Sequence, residues 1–303
     1  MVKRALRAMA FAIVFLGEFG PWDPGSLAAD GGVLAVASIV PLGGFCRELG
    51  GPHVEVEILI PPGASPHVFE PRPSVIFKAS SADVLVYVGG GLDRWAHRIV
   101  RNVLKREGLV VRAIDGLELL PLPGHIRGER DGEFSVNPHV WLDPVLAMEI
   151  CRRISKAFED ADPLHAEDYR RFLERYLGKL HRLHEEIARR TRRFRLRRYV
   201  AFHSSFSYFA RRYQLEEVEV IEPLAGREPT ARRLAKILSV MKERDVRVVF
   251  AEVQLNPRAA QIIAREAGAR LVRVDPLGGR PPYGEDYIEM MRHNLDEMES
   301  AMK

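Results

Sequence analysis

Residues 162–192 read DPLHAEDYRRFLERYLGKLHRLHEEIARRTR, and their pattern decides the architecture. Tyr169, Phe172, Leu173, Tyr176, Leu177, Leu180, Leu183 and Ile187 recur three and four residues apart, which sets them on one stripe of a helix. Asp162 stands at an N-cap position and Pro163 at the first helical position, where the missing N–H of proline costs nothing. A helix from 163 to about 192 is about 45 Å long at 1.5 Å per residue, enough to act as a strut.

Outward from that helix the chain changes period. Short β-branched runs precede it at VLAVASI (33–39), VEVEILI (54–60) and DVLVYVG (83–89), followed by a long stretch without a strand signal. Others follow it at YVAF (199–202), VEVI (218–221), VRVVFAE (246–252) and LVRV (271–274). Strand runs alternating with helical patterns predict an α/β fold. The expected architecture is two lobes, each a mostly parallel β-sheet flanked by helices, joined by one long rigid α-helix. The boundaries that follow are a lobe over 29–161, the linking helix over 162–195 and a second lobe over 196–303. At 303 residues and 47% apolar composition the chain can bury a core in both.

Residues 1–28 read as a signal peptide: a basic MVKRALR, the short apolar run AMAFAIVFLG, and Ser26-Leu27-Ala28 as a small-residue cleavage site. An uncleaved membrane anchor is the alternative. Export places the protein in the periplasm or at the outer face of the cytoplasmic membrane. A net charge of +4 singles out no partner. The seven arginines among residues 189–198 offer only Phe194 for base stacking, so nucleic acid is not an expected partner, and a solvated helix end is the plainer reading. Cys46 and Cys151 are the only cysteines; two separately buried thiols are favoured over a single bridge.

Chemistry concentrates at four positions. PPGASPHVFEPRPS (61–74) surrounds His67 with five prolines, and each fixes its own φ near −65°, so the loop has few backbone states left to lose. NPHVWLDP (137–144) carries His139. His203 and Asp275 close the strands YVAF and LVRV at their carboxyl ends, where open α/β sheets bind ligands. Three imidazoles and a carboxylate form a four-ligand, nitrogen-rich set suited to Zn²⁺. Glu252 ends another strand and is expected either to orient a ligating imidazole or to pair with an arginine such as Arg227.

These segments resemble the metal-binding receptors of ABC importers. The resemblance runs in order through Ser38-Ile39-Val40-Pro41-Leu42, PPGASPHVFEP, ADVLVYVGGGLDRW, NPHVWLDP, FHSSFSYFARRYQL, IEPLAGREPTARRLAKI, FAEVQLNPRAAQIIAREAGA and VDPLGG. It implies that His67, His139, His203 and Asp275 are the metal ligands, that histidine at the third place tilts the site to zinc over manganese, and that the partners are a membrane permease and its cytoplasmic ATPase. It implies a monomeric carrier and no catalysis. LPGHIRGERDGEFSVN lacks the His- and acid-rich loop of many zinc receptors and has only His125, which reads as a surface residue. No lipobox cysteine lies near the signal region.

A manganese receptor of the same family shares every feature except metal preference. A zinc hydrolase needs an open coordination position and a nearby base, and the chain has no HExxH pairing. An adhesin role would need an unusual exposed patch. Protonation of any one imidazole removes a ligand, so zinc affinity is expected to fall below about pH 6, near the unperturbed histidine pKa.

Overall fold

β1 (Val33–Ala37), α1 (Val40–Gly50), β2 (Val54–Ile58), α2 (Pro73–Ala79), β3 (Val84–Tyr87), α3 (Ala96–Lys105) and β4 (Leu109–Arg112) alternate along the first part of the chain in a computed structural model. The structure describes residues 32–105, 107–122, 136–223 and 229–303. The signal peptide assigned to 1–28, His125 and Arg227 lie outside the described residues.

The four strands form one parallel sheet in the order β2-β1-β3-β4. Val84, Leu85, Val86 and Tyr87 of β3 are all buried, as expected of a central parallel strand covered on both faces. β4 is the one strand of this sheet that the sequence reading lacked. Its LVVR is as long as YVAF, VEVI and LVRV and carries the same kind of apolar signal, so its omission has no physical cause in the sequence.

α4 (Pro144–Ala161) and α5 (Ala166–Thr191) follow, then β5 (Arg198–Ala201), α6 (Ser207–Tyr213), β6 (Glu216–Val220), α7 (Ala231–Glu243), β7 (Val248–Glu252), α8 (Arg258–Glu266), β8 (Arg270–Val274) and α9 (Tyr287–Met302). The second sheet is again parallel, in the order β6-β5-β7-β8, so each half repeats one winding. Both sheets therefore direct the carboxyl ends of their strands, and the loops that follow them, to one side.

The long helix differs at its start from the expectation. Pro163–His165 form a 3₁₀ turn and the α-helix proper begins at Ala166, about 39 Å of helix at 1.5 Å per residue. The Asp162 carboxylate caps no backbone N–H. It accepts from Tyr169 Oη at 2.8 Å and lies 2.6 Å from His165 Nδ1. Its interior follows the predicted stripe: Tyr169, Phe172, Tyr176, Leu180, Leu183 and Ile187 are buried. That stripe packs on α1, α4 and α9, so one hydrophobic core runs from β1 through α5 to β8. A second core, around Val200, Val249 and Ile263, fills the far face of the second sheet.

Three of the clustered arginines have structural bonds. Arg190 pairs with Glu299 and Asp296 of α9, Arg197 donates to the carbonyls of Thr191, Tyr213 and Gln214, and Arg198 pairs with Glu216. Arg189, Arg192, Arg193 and Arg195 are exposed around the end of α5, where cations complement the helix dipole. Cys46 and Cys151 are free buried thiols, and burial pushes Cys46 up to about 12.

Candidate metal centre

The proline-rich loop leaves β2 at its carboxyl end and carries His67 to the mouth of the space between the sheets. Its first turn closes by Ala64 N–H donating to Pro61 O at 3.1 Å, and Gly63 takes φ 86°, which a residue with a Cβ rarely adopts. His139 arrives from the loop after β4. Gly89, Gly90 and Gly91, all at positive φ, end β3 beside that loop, and a Cβ on Gly90 would lie 3.2 Å from Pro138. The glycines thus let the Asn137-Pro138-His139 segment approach the backbone closely. His203 stands two residues beyond β5.

These three rings converge. His67 Nε2 lies 3.3 Å from His139 Nε2 and 3.1 Å from His203 Nε2, and the ring centroids are 5.3, 4.7 and 5.2 Å apart. Tetrahedral zinc with Zn–N bonds of 2.0–2.1 Å places its nitrogen ligands about 3.3 Å apart, so the spacing already suits one ion. Among the described residues this is the single group of three or more metal-binding side chains whose ligand atoms all lie within 4.8 Å of one another. The Nδ1 of His203 is 3.3 Å from Glu222 O, a carbonyl that can only accept, so Nδ1 carries the proton and Nε2 offers its lone pair to the centre.

Asp275 follows β8 directly and is buried, but it is not in that group. Its Oδ1 accepts from Gln254 Nε2 at 2.5 Å and from the N–H groups of Leu277 and Gly278 at 2.9 Å, and its Oδ2 accepts from Tyr283 Oη at 2.5 Å. Asn294 of α9 clamps its backbone, accepting from Asp275 N and donating to Asp275 O, both at 2.7 Å. Glu252 accepts from Ser205 Oγ at 2.6 Å and, among the described residues, bonds to no imidazole; the alternative partner Arg227 lies outside them, and it is the Glu222 carbonyl that faces His203 Nδ1.

The electrostatics of the two sides differ. His139 and His203 are 3% and 4% exposed, and part of the His67 ring reaches solvent although protein atoms crowd its surroundings. Burial, then the neighbouring imidazole of His203, holds His67 down to about 3; burial lowers His139 and His203 as well. Proton competition for the centre therefore begins below the pH 6 expected from an ordinary histidine. On the second lobe, burial, with Asp275 and Glu222 nearby, raises Glu252 to about 8. A dication offsets that acidic wall and uses the lone pairs of the neutral rings.

Residues 35–301 match the family model described as zinc-uptake complex component A periplasmic, ZnuA. The chain belongs to this family. Family members are solute-binding transport proteins. The chain is 27% identical over 284 residues to the zinc-binding lipoprotein AdcA of Streptococcus pneumoniae, covering 90% of this chain and 56% of that protein, so it spans little more than half of that relative. To the high-affinity zinc uptake system protein ZnuA of Bacillus subtilis it is 27% identical over 281 residues, 88% of this chain and 86% of the relative. The Zn(II)-bound ZnuA-like domain of S. pneumoniae AdcA superposes with a TM-score of 0.74 at 26% identity, covering 90% of this chain and 99% of that structure.

Five buried or part-buried partners escaped sequence reasoning: Asn137, Glu222, Gln254, Tyr283 and Asn294. Asn137 stands two residues before His139 in NPHVWLDP, but the letters alone give its amide no part. The others act from residues remote in sequence and leave no local signal.

Proposed function

We propose that the protein is an exported receptor that captures Zn²⁺ between its two lobes and delivers it to the permease of an ABC transporter. The observation that carries this reading is the convergence of His67, His139 and His203 through their Nε2 atoms at 3.1–3.3 Å. Membership of the zinc-uptake family and likeness to zinc-binding proteins support it. Asp275 is the fourth ligand in this reading: it is buried directly after β8, at the carboxyl end of its strand, and its carboxylate balances the charge of the ion. Nitrogen donors favour zinc over manganese, whose preferred ligands are oxygens. With four protein ligands around the ion no position stays open for an attacking water, so the site stores and releases metal without catalysis.

Release needs the ligands of one lobe to separate from those of the other. α5 packs on α1, α4 and α9, which suits a small shear better than a wide hinge. The test is metal competition on chelator-stripped protein, with bound zinc and manganese read by elemental analysis beside a His67→Ala, His139→Ala, His203→Ala triple variant. One tightly held zinc, lost in the variant, is the expected result. Absence of stoichiometric zinc in the native chain overturns the reading.

A further inference from the structure

We propose that Asn137 is the positioning residue that sets the metal-binding tautomer of His139 and ties that ring to the segment carrying His203; the inference rests on the zinc-receptor reading. The Asn137 side chain is fully buried and all its polar atoms are used. Oδ1 accepts from the backbone N–H of His139 at 3.0 Å and faces His139 Nδ1 at 2.8 Å. Nδ2 donates to Ser204 O at 2.6 Å and to Ser207 Oγ at 3.2 Å.

The orientation of this amide is fixed from two independent ends. The His139 backbone N–H can only donate, which demands the oxygen on its side, and the Ser204 carbonyl can only accept, which demands the nitrogen on the other. With Oδ1 so placed, His139 Nδ1 must carry the proton. Its Nε2 is then left with a lone pair, aimed at His67 Nε2. A free neutral imidazole prefers its proton on Nε2, so without this acceptor the ring would hold a hydrogen on the atom that should coordinate, and metal entry would first require moving it.

The same amide also joins the lobes. Ser204 directly follows His203, and its hydroxyl donates to Glu217 Oε1 at 2.5 Å. Ser207 Oγ reaches Glu217 Oε2 at 3.2 Å, while Tyr208 Oη donates to Asn137 O at 2.7 Å. A continuous hydrogen-bonded path therefore runs from the ring of His139 through Asn137 to the strand end of the second lobe. Fully satisfied buried networks of this kind favour one arrangement over near alternatives. Asparagine is the residue that offers an acceptor to one lobe and donors to the other: aspartate keeps the acceptor alone, and leucine keeps neither.

The test is long-range ¹⁵N–¹H correlation NMR on metal-free, imidazole-labelled full chain at neutral pH, with His139 assigned by a His139→Gln control, alongside zinc affinity by chelator competition. The native protein is expected to show His139 with its proton on Nδ1. Asn137→Leu is expected to move that proton to Nε2 and to weaken zinc binding roughly 10–100-fold, the usual cost of losing a partner that orients a ligand. Asn137→Asp is expected to keep the Nδ1 proton. A native His139 protonated on Nε2 overturns the inference without any variant, and so does an Nδ1 proton retained in a folded leucine variant. The tautomer is read without metal, so a native chain that binds no zinc defeats the receptor reading and leaves this result to stand or fall alone.

Discussion

The two lobes are wound alike and hold their proposed ligands by different means. Each has a parallel sheet with its first strand second in the order and its last strand at the edge. In the first lobe His67 hangs from a loop stiffened by prolines, and the hydrogen-bond partners described for its ring are the other two imidazoles. In the second, the Asp275 carboxylate is met by an amide, two backbone N–H groups and a phenol, and its backbone is clamped by Asn294. One proposed ligand is placed by chain entropy already lost, the other by bonds formed on folding. Affinity and stability should therefore separate when the two are altered.

The largest effect is expected at His67. His67→Ala should weaken zinc binding by more than the roughly 10–100-fold typical of a lost orienting bond. It should change the unfolding free energy of metal-free protein little, within about 0.5 kcal/mol, because the only described bonds it removes are those to the other two imidazoles. Asp275→Ala should instead cost metal-free protein about 3 kcal/mol, since it leaves several buried donors without an acceptor. Equal stability losses in the two variants, measured by denaturant unfolding, would break the comparison.

Glu252 of the second lobe gives a pH dependence opposite in sign to that of His67 in the first. Folded Glu252 keeps its proton to about pH 8, whereas an unfolded chain loses it near the ordinary value of 4.5. Between those values the folded state binds more protons, so this group's contribution to stability falls as pH rises through the window. Relative to Glu252→Gln, native metal-free protein should lose on the order of 3–4 kcal/mol between pH 5 and pH 8. His67 acts with opposite sign: its folded ring binds fewer protons than the unfolded one between about pH 3 and 6.5, and its contribution to stability falls as pH drops through that range. A flat difference between native protein and Glu252→Gln, followed by thermal melts across pH, would remove the acidic wall from the account.

The smallest effect is expected in the loop itself. Pro66→Ala returns backbone freedom worth about 0.4–1 kcal/mol to the unbound state. Zinc affinity should fall about two- to fivefold, read by the same competition titration. No change would mean that packing, and not proline, holds His67.

Much of this was legible in sequence because it rests on local patterns. The stripe from Tyr169 to Ile187, seven of the eight strands and the three histidines at loop or strand ends all announce themselves through spacing or neighbours. What stayed hidden depends on contacts across the fold. Asp162 looks like a cap until Tyr169 and His165 claim its carboxylate. The docking of α9 on the first lobe, through the Phe45 and Tyr287 rings 4.9 Å apart and Tyr287 Oη donating to Trp141 O at 2.7 Å, joins residues more than one hundred positions apart. The amide of Asn137 is visible as a letter, but its two-sided role appears only when Ser204 is brought beside it.

The most direct test of the central claim is X-ray absorption at the zinc edge on protein loaded with one equivalent of zinc. Three imidazole nitrogens at about 2.0 Å with one oxygen at a similar distance are predicted, with outer-shell scattering from the rings. A shell of oxygens alone, or one that is unchanged in the triple histidine variant, would contradict the assignment of His67, His139 and His203 as the metal centre.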